Sequence, residues 1–318
     1  MSGPVTSADT EPEPATTPPE PPGVEVTDGR AATVGDMPVV RVLPRRARRT
    51  VGAWCFVDQM GPAPVTEDRG IDVGPHPHIG LQTVTWLFAG EVLHRDSLGS
   101  EQLIRPGQLN LMTAGAGVAH SEEATGAYAG PLHGIQLWVA QPEVTRHGPA
   151  AFEHHASLPT IGLPGGTATV LVGELDGTAS PARRDTDHVG IDLDLTAGRH
   201  VLPVQVGHEH ALVIAAGRVA IDGQAVAPGQ LAHLGPGRGE LVLEASEAVR
   251  LLLLGGTPFP EPVLMWWNYV ARTRDEIIDA HRDWTERAER FGSVASPLPA
   301  IDVGPPPWAP GRDAQGNR

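Results

Sequence analysis

Pro106-Gly107-Gln108-Leu109 recurs as Pro228-Gly229-Gln230-Leu231, and this repeat narrows the fold more than any other feature of the chain. Laying Gly107 on Gly229 also sets Gly115 on Gly237 and Gly117 on Gly239. Upstream of each copy stands a strand–turn–strand signal, TVTWLFAGEV (Thr83–Val92) and ALVIAAGRVAI (Ala211–Ile221), in which a turn glycine, Gly90 or Gly217, breaks an apolar run. Four matched residues can be chance, but matched turn glycines point to duplication, so the chain reads as two similar β-rich halves. The 38 Gly and 32 Pro, set among Val, Leu and Ala, punctuate many short strands rather than long helices. Helical signal is confined to TRDEIIDAHRDWTERAERFG. There Thr273 can cap, and Ile277, Ile278, His281, Trp284 and Ala288 recur at helical spacing before Gly292.

The halves are expected at residues 37–160 and 161–292 of the 318. Residues 1–36 are rich in Pro, Thr and Glu and poor in apolar side chains, and residues 293–318 read the same way apart from Trp308. Both are expected to be disordered tails, because they cannot bury enough surface to offset ordering entropy. All 23 basic residues are arginine and the net charge is −15. The one basic cluster, RVLPRRARR with Arg45, Arg46, Arg48 and Arg49, is expected to form surface ion pairs rather than contact nucleic acid. No run of 18 apolar residues argues for a membrane span, and the start of the chain does not resemble a secretory signal. With a single cysteine, Cys55, expected to be buried, the chain is read as cytoplasmic.

GPHPHIG sets His76 and His78 two residues apart, so on a strand they point the same way and can reach one ion, while Pro77 faces the other side. Such a pair arises readily by chance among 14 histidines and means little alone. RPGQLNLMTAGAGVAHSEE supplies a second pair: after the Gly115 and Gly117 turn, His120 and Glu122 share a strand face. Three neutral imidazoles and one carboxylate suit Fe(II), and also admit Mn, Ni, Cu or Zn, with coordination positions left open for chemistry. Ligating histidines must be neutral, so metal retention is expected to fall below about pH 6. His94 and Asp96 read first as strand-surface polar residues, with orientation of a ligand as the alternative. Gln136 and His133 are candidates for hydrogen bonding to a ligand. Glu123 points to the other face and is excluded, and Trp86, Trp138, Trp266 and Trp267 read as core and barrel-contact residues. The second half has its own pair, His208 and His210, but its spacing to the turn glycine is shorter. On the repeat, His120 falls on Val242 and Glu122 on Glu244. That half is therefore expected to be metal-free, with one ion per chain.

The G…H-x-H stretch followed by P-G…G-x-G-x-x-H resembles the two cupin motifs. FVDQMGP, PHPHIG, HRDSLG, MTAGAGVAHSEE, HGIQLWV and the later MWWNYVARTRDEI are similar to the pirin family, over about residues 38–291. The resemblance implies an all-β bicupin: two antiparallel jelly-roll barrels face to face, a short C-terminal helix, and one iron in the N-terminal barrel. It places the metal ligands at His76, His78, His120 and Glu122. The chain departs from the general cupin pattern at Gln82, where that pattern has glutamate. The resemblance further implies an Fe(II)-dependent dioxygenase opening quercetin-like flavonols or aromatic diols with O2, in which Glu122 also serves as a base. The alternative it implies is a non-enzymatic, redox-responsive regulator that binds transcription or metabolic proteins. Two barrels already pair within one chain, so a monomer is expected.

Overall fold

The sequence repeat is a repeat of geometry. Gly107 and Gly229 adopt φ values of +83° and +82°, a region that favours glycine. In each turn the next glutamine folds back identically: Gln108 Oε1 accepts from Arg105 N at 2.9 Å, and Gln230 Oε1 from Ala227 N at 3.0 Å.

The computed structural model describes residues 23–35, 37–66 and 70–309. In spatial order, one seven-stranded sheet runs Ala151–His155, Leu109–Thr113, Leu81–Ala89, Gly130–Ala140, Trp54–Val65, Met37–Leu43, Arg30–Val34. Its counterpart runs Glu25–Asp28, Gln230–Leu234, Glu209–Ala216, Val249–Gly256, His188–Leu195, Gly166–Val172, Thr160–Leu163. Each is accompanied by a four-stranded sheet: Val73–His78, Val118–Glu123, Val92–Asp96, Glu101–Ile104 in the first half, and Gly198–Pro203, Glu240–Ala245, Val219–Ile221, Gln224–Val226 in the second. Ten of the eleven strand places match in chain order, as in cupin-type jelly rolls; the eleventh, an edge of the large sheet, is filled by Ala151–His155 in the first half and by the N-terminal Glu25–Asp28 in the second.

The two large sheets meet across one apolar layer, in which Trp54, Val84, Trp86 and Leu137 pack with Leu171, Val213 and Leu252. Polar side chains bridge the same seam. Trp54 Nε1 donates to Val189 O and Trp86 Nε1 to Asp192 Oδ2, both at 3.0 Å. Gln59 donates to Ile214 O and accepts from Gly229 N. Cys55 is buried in the first half. The helix spans Arg274–Thr285, capped by Thr273, and buries Ile277, Ala280, His281 and Trp284 against the site sheet's side of the molecule. No helix among the described residues is long and apolar enough to cross a membrane.

The expected tails differ from the structure. Residues 1–22 and 310–318 lie outside the described residues, but the segments nearer the halves are ordered. Glu25–Asp28 is an edge strand of the second half's sheet, and Arg30–Val34 an edge strand of the first. Edge pairing needs backbone hydrogen bonds more than apolar side chains, so composition misses it. Arg48 pairs with Glu25 at 2.6 Å and reaches His233 at 3.0 Å, which gives one arginine of the basic cluster the ion-pairing role expected. Residues 293–309 lack regular secondary structure yet form a strap. Ile301 N donates to Pro75 O (2.8 Å), Trp284 Nε1 to Ile301 O (3.0 Å) and His281 Nε2 to Val303 O (3.0 Å). The strap passes so close to the site strand that a Cβ on Gly74 would lie 2.1 Å from Pro299 O. Half-buried Trp308 sits under Arg274.

Candidate metal centre

Val73–His78 and Val118–Glu123 pair antiparallel, setting His120 opposite His76 and Val118 opposite His78. The turn that delivers the second strand depends on Gly115, at φ +52°, where a Cβ would lie 2.1 Å from Gly148 O. Gly80 N donates to Gly115 O at 2.9 Å and ties the ends of the two segments together.

His76, His78 and His120 are all buried, and their ligand atoms lie within 4.8 Å of one another. Each ring uses Nδ1 elsewhere. His76 Nδ1 donates to Gly74 O and His78 Nδ1 to Asn268 O, both at 2.9 Å, and His120 Nδ1 lies 3.4 Å from His94 Nδ1. That leaves the Nε2 atoms to converge, and those of His78 and His120 are 3.0 Å apart. Two nitrogens bound at right angles to one ion at about 2.1 Å stand about 3 Å apart, so this spacing fits a shared metal. Burial holds His76 down to about pKa 4 and places His78 and His120 well below the usual imidazole range. The rings are therefore neutral, with lone pairs free, at physiological pH.

Glu122 shares the same cavity but stands outside the group of three; a register shift falls between His120 and Glu122. Burial raises its pKa to about 7. Glu123 faces away, accepting from Ser121 Oγ at 2.7 Å and pairing with Arg95, in keeping with its exclusion.

The cavity over the imidazoles has a volume of about 370 Å³. One wall is a stack: Trp138 meets His78 edge to face (5.1 Å), Phe56 stacks on Trp138 (4.0 Å), and Arg41 lies over Phe56 (4.4 Å). Asp58, buried beneath, holds Arg41 through two hydrogen bonds of 2.7 and 2.6 Å. Gln136 also lines the cavity, accepting from Thr85 Oγ1 at 2.9 Å. The lining is completed by Trp267 and Asn268, by Thr33 and Val34 of the N-terminal edge strand, and by Ile301 of the strap.

Several sequence expectations shift here. Trp86 lies at the seam, Trp138 in an apolar core cluster and Trp266 and Trp267 packed against another, as expected, but Trp138 and Trp267 also line the cavity. His94 and Asp96, expected at the strand surface, are buried behind His120, with His94 Nε2 3.1 Å from Asp96 Oδ2. His133 sits beside Phe88, outside the cavity lining. Arg41, Phe56, Asp58 and Ile301 were not anticipated; FVDQMGP had drawn attention to Phe56 and Asp58 only as a motif.

In the second half, Val201 pairs with Val242 and Pro203 with Glu240, as His76 pairs with His120 and His78 with Val118. Val201, Pro203 and Val242 thus stand where the first half has its imidazoles. His208 and His210 flank the start of a large-sheet strand instead, and His208 Nε2 pairs with Asp187 at 3.0 Å. A cavity of about 460 Å³ opens there. Among the described residues, no second group of three converging ligands accompanies it.

Two cupin-type domains in one chain, with a buried histidine cluster in the first, define a bicupin. The chain belongs to the pirin family: the Pirin model matches residues 36–139, and the Pirin C-terminal cupin domain matches residues 190–292. A Pseudomonas aeruginosa protein provisionally named a quercetin 2,3-dioxygenase is 44% identical over 88% of this chain and 89% of its own length. A pirin-like protein of Caulobacter vibrioides is 40% identical over 81% of this chain and 92% of its own. The crystal structure of quercetin 2,3-dioxygenase from Acinetobacter baumannii superposes with a TM-score of 0.87 at 39% identity, covering 90% of this chain and 96% of that one.

Proposed function

We propose that the chain is a metal-dependent dioxygenase acting on quercetin-like flavonols or aromatic diols with O2. The observation that carries this reading is the convergence of three neutral, buried Nε2 atoms at the floor of a cavity with a stacked aromatic wall. The names of similar proteins from Pseudomonas and Acinetobacter support it.

His76, His78 and His120 would hold the ion, Fe(II) by preference for this donor set, and Glu122 would add an oxygen ligand. A bound ion supplies Lewis acidity and one-electron redox capacity. The remaining work falls to the chain's own side chains. The wall of Trp138 and Phe56, backed by Arg41, offers an apolar surface against which an aromatic ring lies with its hydroxyls toward the imidazoles. Glu122 accepts the proton of a substrate hydroxyl on whichever carboxylate oxygen does not ligate. The walls exclude water and keep the ring against the floor.

The test is O2 consumption with quercetin by Fe(II)-loaded protein, alongside metal analysis. Turnover that disappears together with metal in His78→Ala is expected. Confirmed iron binding with no turnover of any flavonol or aromatic diol would refute the assignment.

A further inference from the structure

The three imidazoles are held in different ways. His76 and His78 donate from Nδ1 to backbone carbonyls, which can only accept, so their tautomers are fixed outright. His120 instead faces His94, a ring that can present either a proton or a lone pair. What decides is one residue further out. Asp96 Oδ1 accepts from the backbone N–H groups of Leu98 and Ser100, both at 2.9 Å, leaving Oδ2 for His94 Nε2 at 3.1 Å. Phe152 stacks on His94 with centroids 4.4 Å apart at 14°, which holds the ring in plane between the carboxylate and His120. A carboxylate accepts and does not donate, so an uncharged ring at His94 carries its one proton on Nε2 and turns a lone pair on Nδ1 toward His120. His120 then carries its proton on Nδ1, and its Nε2 lone pair is free to face the other two ligands.

We propose that Asp96, acting through His94, is a positioning residue that sets the tautomer of His120 and with it the metal affinity of the three-imidazole group. The proposal rests on the reading of His76, His78 and His120 as metal ligands and is independent of which reaction they serve. It reverses under one nearly isosteric change. In Asp96→Asn the side-chain oxygen stays with Leu98 and Ser100, and the amide nitrogen donates to His94 Nε2. His94 then holds its proton on Nδ1 and donates to His120, whose own proton moves to Nε2, where the metal needs a lone pair. Asparagine in place of a histidine-orienting aspartate is known to select the wrong tautomer in this way.

The experiment combines NMR of 15N-histidine-labelled, metal-free protein, which reports the tautomer of each ring, with Ni(II) titration of the same samples. Wild-type protein is expected to show His120 protonated on Nδ1. Asp96→Asn is expected to show it on Nε2, with Ni(II) bound about 10- to 100-fold more weakly. His94→Phe, which keeps the stack on Phe152 but removes the acceptor, is expected to lose affinity by a similar factor, and it serves if Asp96→Asn does not fold. Unchanged tautomer and Ni(II) affinity within twofold of wild type in either folded variant would overturn the proposal. Wild-type protein that binds no Ni(II) would overturn the metal-ligand reading and this inference together. No readout involves substrate, so absence of quercetin turnover bears on the activity alone.

Discussion

Acidifying the metal-free protein from pH 7 to pH 5 is expected to cost at least about 3 kcal/mol of stability, and the sign follows from which state binds protons first. His78 and His120, held well below the usual imidazole range, add to the loss from the other buried rings. Burial lowers His76, His188 and His210 from 6.5 to about 4. As pH falls, the unfolded chain protonates these rings near 6.5, while the native state resists until about 4, so native stability is lost across that window. Each ring contributes a loss of about 1.8 kcal/mol between pH 7 and 5, or about 5.5 kcal/mol for the three. Glu122 works in the opposite direction. Burial raises it from 4.5 to about 7, so the native state takes up this proton first and regains about 2 kcal/mol over the same interval.

Urea denaturation of chelator-treated protein at the two pH values measures the difference. His188→Gln provides the internal check, because His188 lies in the second half, against Trp54, away from the metal ligands. Removing that one ring is expected to shrink the pH 7-to-5 loss by about 2 kcal/mol. Stability equal at both pH values, or an unchanged pH dependence in His188→Gln, would refute the account of burial as the dominant influence on these rings.

Burial revises the sequence expectation that metal retention falls below about pH 6. The three rings stay neutral until well under that value, so retention is expected to persist below pH 6, which dialysis across a pH series followed by metal analysis checks. Trp86→Phe removes the indole donor to buried Asp192 while keeping an aromatic ring at the seam between the halves. It is expected to lower stability by about 1–3 kcal/mol in urea denaturation. Ending the chain after Gly292 removes the strap's acceptors for Trp284 Nε1 and His281 Nε2 and its donor to Pro75 O. At about 1 kcal/mol per hydrogen bond, the melting temperature should fall by roughly 5–10 °C, which calorimetry measures directly.

The histidines were legible because strand alternation is a strict rule: residues two apart share a face, and two such pairs on neighbouring strands can meet. The same rule cannot tell which face is buried. His94 and Asp96 therefore looked like surface residues, although their strand pairs directly with the one carrying His120. Glu122 was placed on the correct face, yet alternation says nothing of reach, and the carboxylate stands apart from the nitrogens. Arg41 and Phe56 come to the cavity from two consecutive strands and Ile301 from the far end of the chain, and no local pattern announces such a meeting. The repeat carried the architecture, because glycines at positive φ leave a mark that side-chain drift does not erase.

The two halves share strand order and turns but differ in what covers the equivalent sheet face. His76 is 6% exposed, whereas Val201, at the matching register position, is 44% exposed. The difference traces to segments that accompany only the first half's site: the strap, whose Pro299 and Ile301 press on Gly74 and Pro75, and the N-terminal edge strand, whose Thr33 and Val34 reach the cavity. Burial is what keeps the imidazoles neutral, so the coverings contribute to the chemistry as directly as the ligands do. Histidines restored at positions 201, 203 and 242 would therefore reproduce the donor set without its surroundings. At least the ring at position 201 would lie open to water and titrate near the ordinary imidazole value. A centre of this kind is made by five strands and two terminal segments together, and the second half, lacking the segments, has the fold with no matching group of three imidazoles among the described residues.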